Sequence, residues 1–160
     1  MSADASINQA EEYGAAERFR SALTAAWDAA WNHGKVEALD AIHTDAFRRA
    51  HALRTAVYTR DDMKDIILGA RAAFEDLTSQ IDMFVIEGNT AAILWHGSGT
   101  HTGTFMGVPA TGHDLRFFGS AFIIFDADGR IIEEVSTWSP NELLTAVGVL
   151  SFNSAERNLP

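Results

Sequence analysis

The chain has 160 residues, with 22 acidic against 12 basic side chains and a formal net charge of −10. That length suits one domain with its own core, and 47% apolar with 21% charged residues is the composition of a folded protein, which excludes a disordered chain. The acidic balance disfavours nucleic acid, no apolar run approaches the roughly 20 residues of a membrane helix, and the lack of cysteine excludes disulfides, thiolate nucleophiles and sulfur-ligated metals.

The N-terminal segment is acidic and lacks the basic-then-apolar order of a secretory signal, so a cytoplasmic protein is expected. Phe19, Leu23, Ala26 and Ala30 recur at helical spacing, and Val36, Leu39 and Ile42 resume it after Gly34. This predicts helices over 8–32 and 35–43. A short strand is expected over 46–53. A third helix opens at Thr59, whose hydroxyl can cap its first amides, with Asp61 and Asp62 in the positive first turn. Its apolar face is Met63, Ile66, Ile67, Ala70 and Phe74.

After Leu77 the hydrophobic period falls to two. The runs 79–86, 91–105, 113–125 and 130–138 are joined by short connections, Glu87-Gly88-Asn89, Met106 to Gly112 and Asp126 to Gly129. Connections that short require antiparallel neighbours, so these runs form a meander, with the 46–53 strand at its edge. Ser139-Pro140-Asn141-Glu142 then starts a C-terminal helix reaching about Leu150. Helices followed by a curved antiparallel sheet make an α+β domain over 1–160, with an ordered core over about 12–150.

The stretch from Gly99 to Trp138 carries GTHTG, then MGVPATG, then F-x-x-F-x-x-DGRIIEE and a tryptophan. With Trp27, Trp31-Asn32 and the run Ala73 to Leu77, it resembles the SnoaL-like polyketide cyclase (ester cyclase) family of the nuclear transport factor 2-like superfamily, over roughly 18–150. The resemblance implies a cone-shaped fold, a curved antiparallel sheet packed on N-terminal helices around a pocket, often as a homodimer. It also implies acid/base chemistry without metal or organic cofactor. Family cyclases tend to carry His-Trp-Asp on the last strand with the aspartate as acid/base, where this chain has Glu134-Val135-Ser136. Inward positions polar in cyclases fall near Ser120 and Phe122.

Strand alternation puts Glu134, Ser136 and Trp138 on one face, which the family alignment turns into the cone. A carboxylate beside indole in an apolar cone loses hydration, so Glu134 is expected to be raised toward neutrality as a general acid or base. His96, in phase with Leu94, is the expected second proton carrier. His51, at the position of a pocket-edge histidine in the family, and Tyr58 and Arg60, around the entry of the third helix, would hold a developing oxyanion. Trp27, Trp31, Phe118, Phe122, Ser136 and Trp138 are the expected substrate contacts, with Trp95 as a further aromatic. His101 and His113 flank the loop motif at the rim. No HExxH or paired-histidine spacing points to a metal, Gly97-x-Gly99 lacks the features of a dinucleotide loop, and Ser136 has no nucleophile elbow around it.

The expected function is a cofactor-independent acid/base enzyme on an aromatic or polycyclic hydroxy or carbonyl compound: a lyase of elimination or retro-aldol type, an isomerase or a cyclase. The other reading is a non-catalytic binding or assembly module with the same pocket. The expected partners are a small-molecule substrate and a second copy of the chain, with no nucleic acid and no membrane.

Overall fold

The structure is a computed structural model and describes residues 3–51 and 56–146. In chain order it runs α1 (Ala3–Trp27), a π-helical turn (Asp28–Asn32), α2 (Ala38–Ile42), β1 (His43–His51), β2 (Val57–Tyr58), α3 (Arg60–Ala73), β3 (Thr78–Glu87), β4 (Thr90–Thr100), β5 (Asp114–Phe125), β6 (Ile131–Trp138) and α4 (Asn141–Ala146). The strands form one open sheet in the order β2-β1-β6-β5-β4-β3. The β3 to β6 meander is antiparallel as expected. The extra strand joins it along β6, but in parallel, and begins at His43 because a register break between His43 and Arg48 lets it enter early. Tyr58, expected at the helix entry, forms with Val57 the outermost strand, paired with Arg49 and Ala50.

The long N-terminal helix loosens to π geometry where it meets the sheet. There Asn32 binds the backbone of Ser79 in both directions, at 2.7 and 3.0 Å, and the Trp27 indole N–H donates to Ser79 Oγ at 3.0 Å. Such π turns often sit at functional sites, and this one fixes Trp27 and Trp31 over the concave side of the sheet. Phe19 stacks on Phe125 with ring centroids 4.2 Å apart. Phe19, Leu23, Ala26, Val36, Leu39 and Ile42 meet Ala91, Ile93, Ala121, Ile123 and Ile131 in the main core. A second cluster joins Ala70, Ala73, Phe74 and Leu77 to Leu115, Phe117 and Leu143.

Thr59 caps α3 as its sequence predicts: Thr59 Oγ1 accepts from Asp62 N–H, and the Asp62 carboxylate accepts from Thr59 N–H at 2.7 Å. The bonds that Thr59 N–H and Thr59 Oγ1–H donate to the Asp62 carboxylate, both 2.7 Å, hold that carboxyl below its usual range. The strand expected over 91–105 stops at Thr100, because the chain turns off the sheet onto the end of α3. The N–H groups of Thr102 and Gly103 both donate to Ala73 O. A side chain at Gly103 would fall 2.6 Å from Ala72 O, and one at Gly99 would fall 3.0 Å from Phe74 Cβ. The GTHTG motif is therefore a docking contact, where two glycines let backbone meet helix. Asp76 completes it by accepting from Thr100 N–H and Oγ1–H, both at 2.7 Å, which lowers the Asp76 carboxyl. The C-terminal helix is described only to Ala146; the remainder of the predicted span, and Ala52 and Leu53 of the predicted strand, lie outside the described residues.

Candidate active site

The concave face of the sheet and the helices enclose a cavity of about 460 Å³. Trp27, Trp31, Phe74, Trp95, Phe105, Phe117 and Trp138 supply aromatic wall, while Leu23, Leu39, Ile42, Met63 and Ile67 supply aliphatic wall. Thr104, Phe105 and Met106 bring the β4–β5 loop to its margin. Most of the wall is apolar, so the few polar groups in it are exposed to little competing water and orient whatever binds.

Those polar groups are concentrated on β2, β1 and β6. Tyr58, Arg49 and Glu134 stand abreast, since Arg49 is the register partner of both, and His51 pairs with Ser136 two residues on. All of these side chains line the cavity. Arg49 Nε lies 3.0 Å from Glu134 Oε1 and donates to Ser136 Oγ at 3.0 Å, while Nη1 points onto the Met63 sulfur. Both members of the ion pair are largely buried, with 14% and 12% of their side chains exposed. His43 completes the group from the start of β1. It is buried, its ring meets Phe47 edge-on, and its Nδ1 lies 2.9 Å from Leu39 O. Nδ1–H therefore donates to that carbonyl, and Nε2 is the accepting nitrogen of the neutral ring. Burial pushes the His43 imidazole below its usual value, against the opposite pulls of the Leu39 carbonyl and of Glu134.

Of the residues singled out from sequence, Glu134, His51, Tyr58, Ser136, Trp27, Trp31, Trp95 and Trp138 line this cavity. Four do not, and they correct the reading. His96 lies on the outer face of β4, where its Nδ1 is 2.7 Å from Asp82, a contact that lowers the Asp82 carboxyl. Leu94, which shares its phase, is 44% exposed, so the inward set of β4 is Ala91, Ile93, Trp95 and Gly97. Phe118 and Phe122 are 56% and 62% exposed on the outer face of β5, with Ser120 in the same phase, and Phe117 takes the inward place. Arg60 lies outside the cavity lining, bound to Asp40 at 3.0 Å and Asp45 at 3.2 Å. The cavity guanidinium is Arg49, and the expectation of a bare carboxylate beside indole gives way to an ion pair.

Arg49 and His43 are the residues that sequence reasoning missed. A signal for Arg49 existed: it lies two residues before His51 on one strand, so an inward His51 carries Arg49 inward with it. His43 had none, because the register break that turns it inward follows from the parallel pairing with β6. His101 is fully buried, stacked on Phe74 with Nδ1 3.1 Å from Thr111 Oγ1, and closes the loop from inside, while His113 is exposed at the rim as expected. Among the described residues no group of three or more His, Asp or Glu side chains converges as a metal site would require, and no helix is long and apolar enough to cross a membrane.

Fold and site together define a cone-shaped α+β protein of the nuclear transport factor 2-like type with an aromatic-walled cavity. The model of the SnoaL-like polyketide cyclase family matches residues 21–146, and the chain belongs to that family. Solved structures agree on the architecture. AclR of Streptomyces galilaeus, a candidate hydroxylase, is 25% identical with a TM-score of 0.71, over 82% of this chain and 97% of its own. A candidate SnoaL-like polyketide cyclase of Jannaschia sp. CCS1 is 19% identical with a TM-score of 0.72, over 84% and 94%. IdmH of Streptomyces antibioticus, a candidate polyketide cyclase, is 23% identical with a TM-score of 0.68, over 81% and 98%. No curated protein matches the sequence.

Proposed function

We propose that the chain is a cofactor-independent enzyme that moves a proton next to a carbonyl or hydroxyl group of an aromatic or polycyclic compound, as a lyase, isomerase or cyclase. The observation that carries this reading is the Glu134–Arg49 pair, 3.0 Å apart at the polar end of an otherwise apolar, aromatic-walled cavity. The guanidinium touches Oε1, so Oε2 is the oxygen that takes and returns the proton. Tyr58 and His51, beside the pair in register, supply donors for charge that develops on the substrate oxygen. In a dry site such donors act without solvent reorganisation, and one is typically worth about 3–4 kcal/mol. Trp27, Trp31 and Trp138 provide flat apolar surface for the rings. Membership of a cyclase family supports the reaction class, and names of related structures point the same way.

A binding or assembly module with the same cavity is the second reading, and Ser136 at the place of the family aspartate favours it. Incubating the protein with a panel of aromatic hydroxy and carbonyl compounds separates the two. Conversion by the native chain that falls at least about 100-fold in Glu134→Gln supports the enzyme; binding of the same compounds with no conversion supports the module.

The chain works as a homodimer through the outer face of its sheet. Met83, Val85, Leu94, Phe118, Phe122 and Ile124 are exposed there, on three adjacent strands, with Met83 opposite Leu94 and Phe122 opposite Ala92. Exposed apolar surface of that continuity marks an interaction site. A two-fold axis would place the same patch on both copies.

A further inference from the structure

We propose that Arg49 is an anion receptor: ligands of this cavity carry a carboxylate, and that carboxylate takes the guanidinium from Glu134, which the exchange frees as the proton acceptor. The described residues use little of the Arg49 guanidinium. Arginine offers five N–H donors in a planar fork suited to a two-oxygen anion. Here Nε is shared between Glu134 Oε1 and Ser136 Oγ, both at 3.0 Å, and Nη1 is given to a thioether, a weak acceptor. Among the described residues, no oxygen accepts from Nη2. The internal pair is thus a single contact, where a fork-to-fork pair would use two parallel bonds. A carboxylate arriving along the cavity can make the stronger pairing.

The surroundings favour the exchange. The Arg49 side chain is 14% exposed, and the other walls near it are Met63, Tyr58, His51 and Ser136, of which the last three carry donor groups and none is an anion. His43, the remaining ionisable neighbour, is held toward its neutral form by burial. Among the described residues the carboxylate paired with this cation is Glu134, and breaking such a pair leaves an uncompensated buried charge that seeks another anion. Glu134 and an anionic ligand therefore compete for one group. Removing the Glu134 charge should therefore strengthen anion binding, an effect that simple packing would not produce.

The inference rests on the reading that the cavity takes a small organic ligand and does not depend on turnover. The test is calorimetric titration with naphthalene-2-carboxylate and, as its neutral counterpart, naphthalene-2-carboxamide. In the native chain the carboxylate should bind and the carboxamide bind more weakly. Glu134→Gln should tighten the carboxylate by at least about tenfold and leave the carboxamide within about twofold. The double variant Arg49→Met with Glu134→Gln, which carries neither charge and so avoids the unpaired buried carboxylate that Arg49→Met alone would leave, should abolish the preference for the carboxylate. Absence of carboxylate binding at millimolar concentration, or a Glu134→Gln effect equal on both probes, overturns the proposal. Loss of turnover in Glu134→Gln with no change in probe preference would leave the enzyme reading standing and sink this one.

Discussion

The two faces of the sheet carry similar apolar side chains to opposite ends. On the concave face Trp95, Phe117 and Ile123 enclose a cavity under helices; on the convex face Leu94, Phe118, Phe122 and Ile124 have no helix over them among the described residues and are exposed in the single chain. Glu133 and Glu134 show the contrast within two residues: one is exposed, its neighbour is paired with Arg49 and largely buried. Two histidines repeat it. His43 faces the cavity with its proton fixed by a backbone carbonyl, and His96 lies outside with Asp82. The difference teaches that chemistry here depends on the face and on what covers it, since identical residue types occur on both.

The largest expected effect contrasts the proton carriers. Glu134→Gln should lower conversion of any compound the native chain turns over by about 100-fold, close to 2.7 kcal/mol of barrier, while His96→Ala should stay within about twofold in the same assay. Equal losses would erase the distinction between the faces. Next in size, Phe122→Glu on the convex face should raise the dimer dissociation constant about 30-fold, the equivalent of roughly 2 kcal/mol, in sedimentation equilibrium. Its effect on ligand affinity in the cavity should stay within about twofold.

Acid stability sharpens the histidine comparison. Because the folded protein holds His43 below its ordinary value of 6.5, the unfolded chain binds more protons between the two values. Stability from this group is complete above pH 6.5 and is lost as pH falls through the folded value. His43→Gln, which keeps a donor for Leu39 O, should flatten the fall in melting temperature between about pH 7 and pH 5. The smallest effect lies off both faces: Thr59→Ala removes the α3 cap and should cost about 1 kcal/mol in chemical denaturation, with ligand binding unchanged.

Much of the fold was legible because local rules decide it. Thr59 and Asp62 form their capping box from neighbouring residues, and the hairpin turns sit where Gly88 and Gly129 adopt positive φ. The phase of β6 was legible through the family motif, which brought Glu134, Ser136 and Trp138 inward together. The phases of β4 and β5 were not, because Leu94 and Phe122 make the outer face as apolar as the inner one, and alternation then has no sign. Arg60 was misplaced for a related reason: a helix-entry cation can turn to the cavity or to a surface carboxylate, and Asp40 with Asp45 decides the matter only once α2 packs beside α3.

Sequence by itself determined the main helices, the β3 to β6 meander with its turns, the family and the carboxylate of the last strand, since each rests on spacing, capping or a contiguous motif. The tertiary structure alone decided which face of each central strand is concave and that Arg49 and His43 join Glu134. Those outcomes depend on parallel pairing of β1 with β6 and on which side the helices cover, and both are set by contacts between residues distant in sequence, such as Arg49 with Ser136 at a separation of 87 and Trp27 with Ser79 at 52.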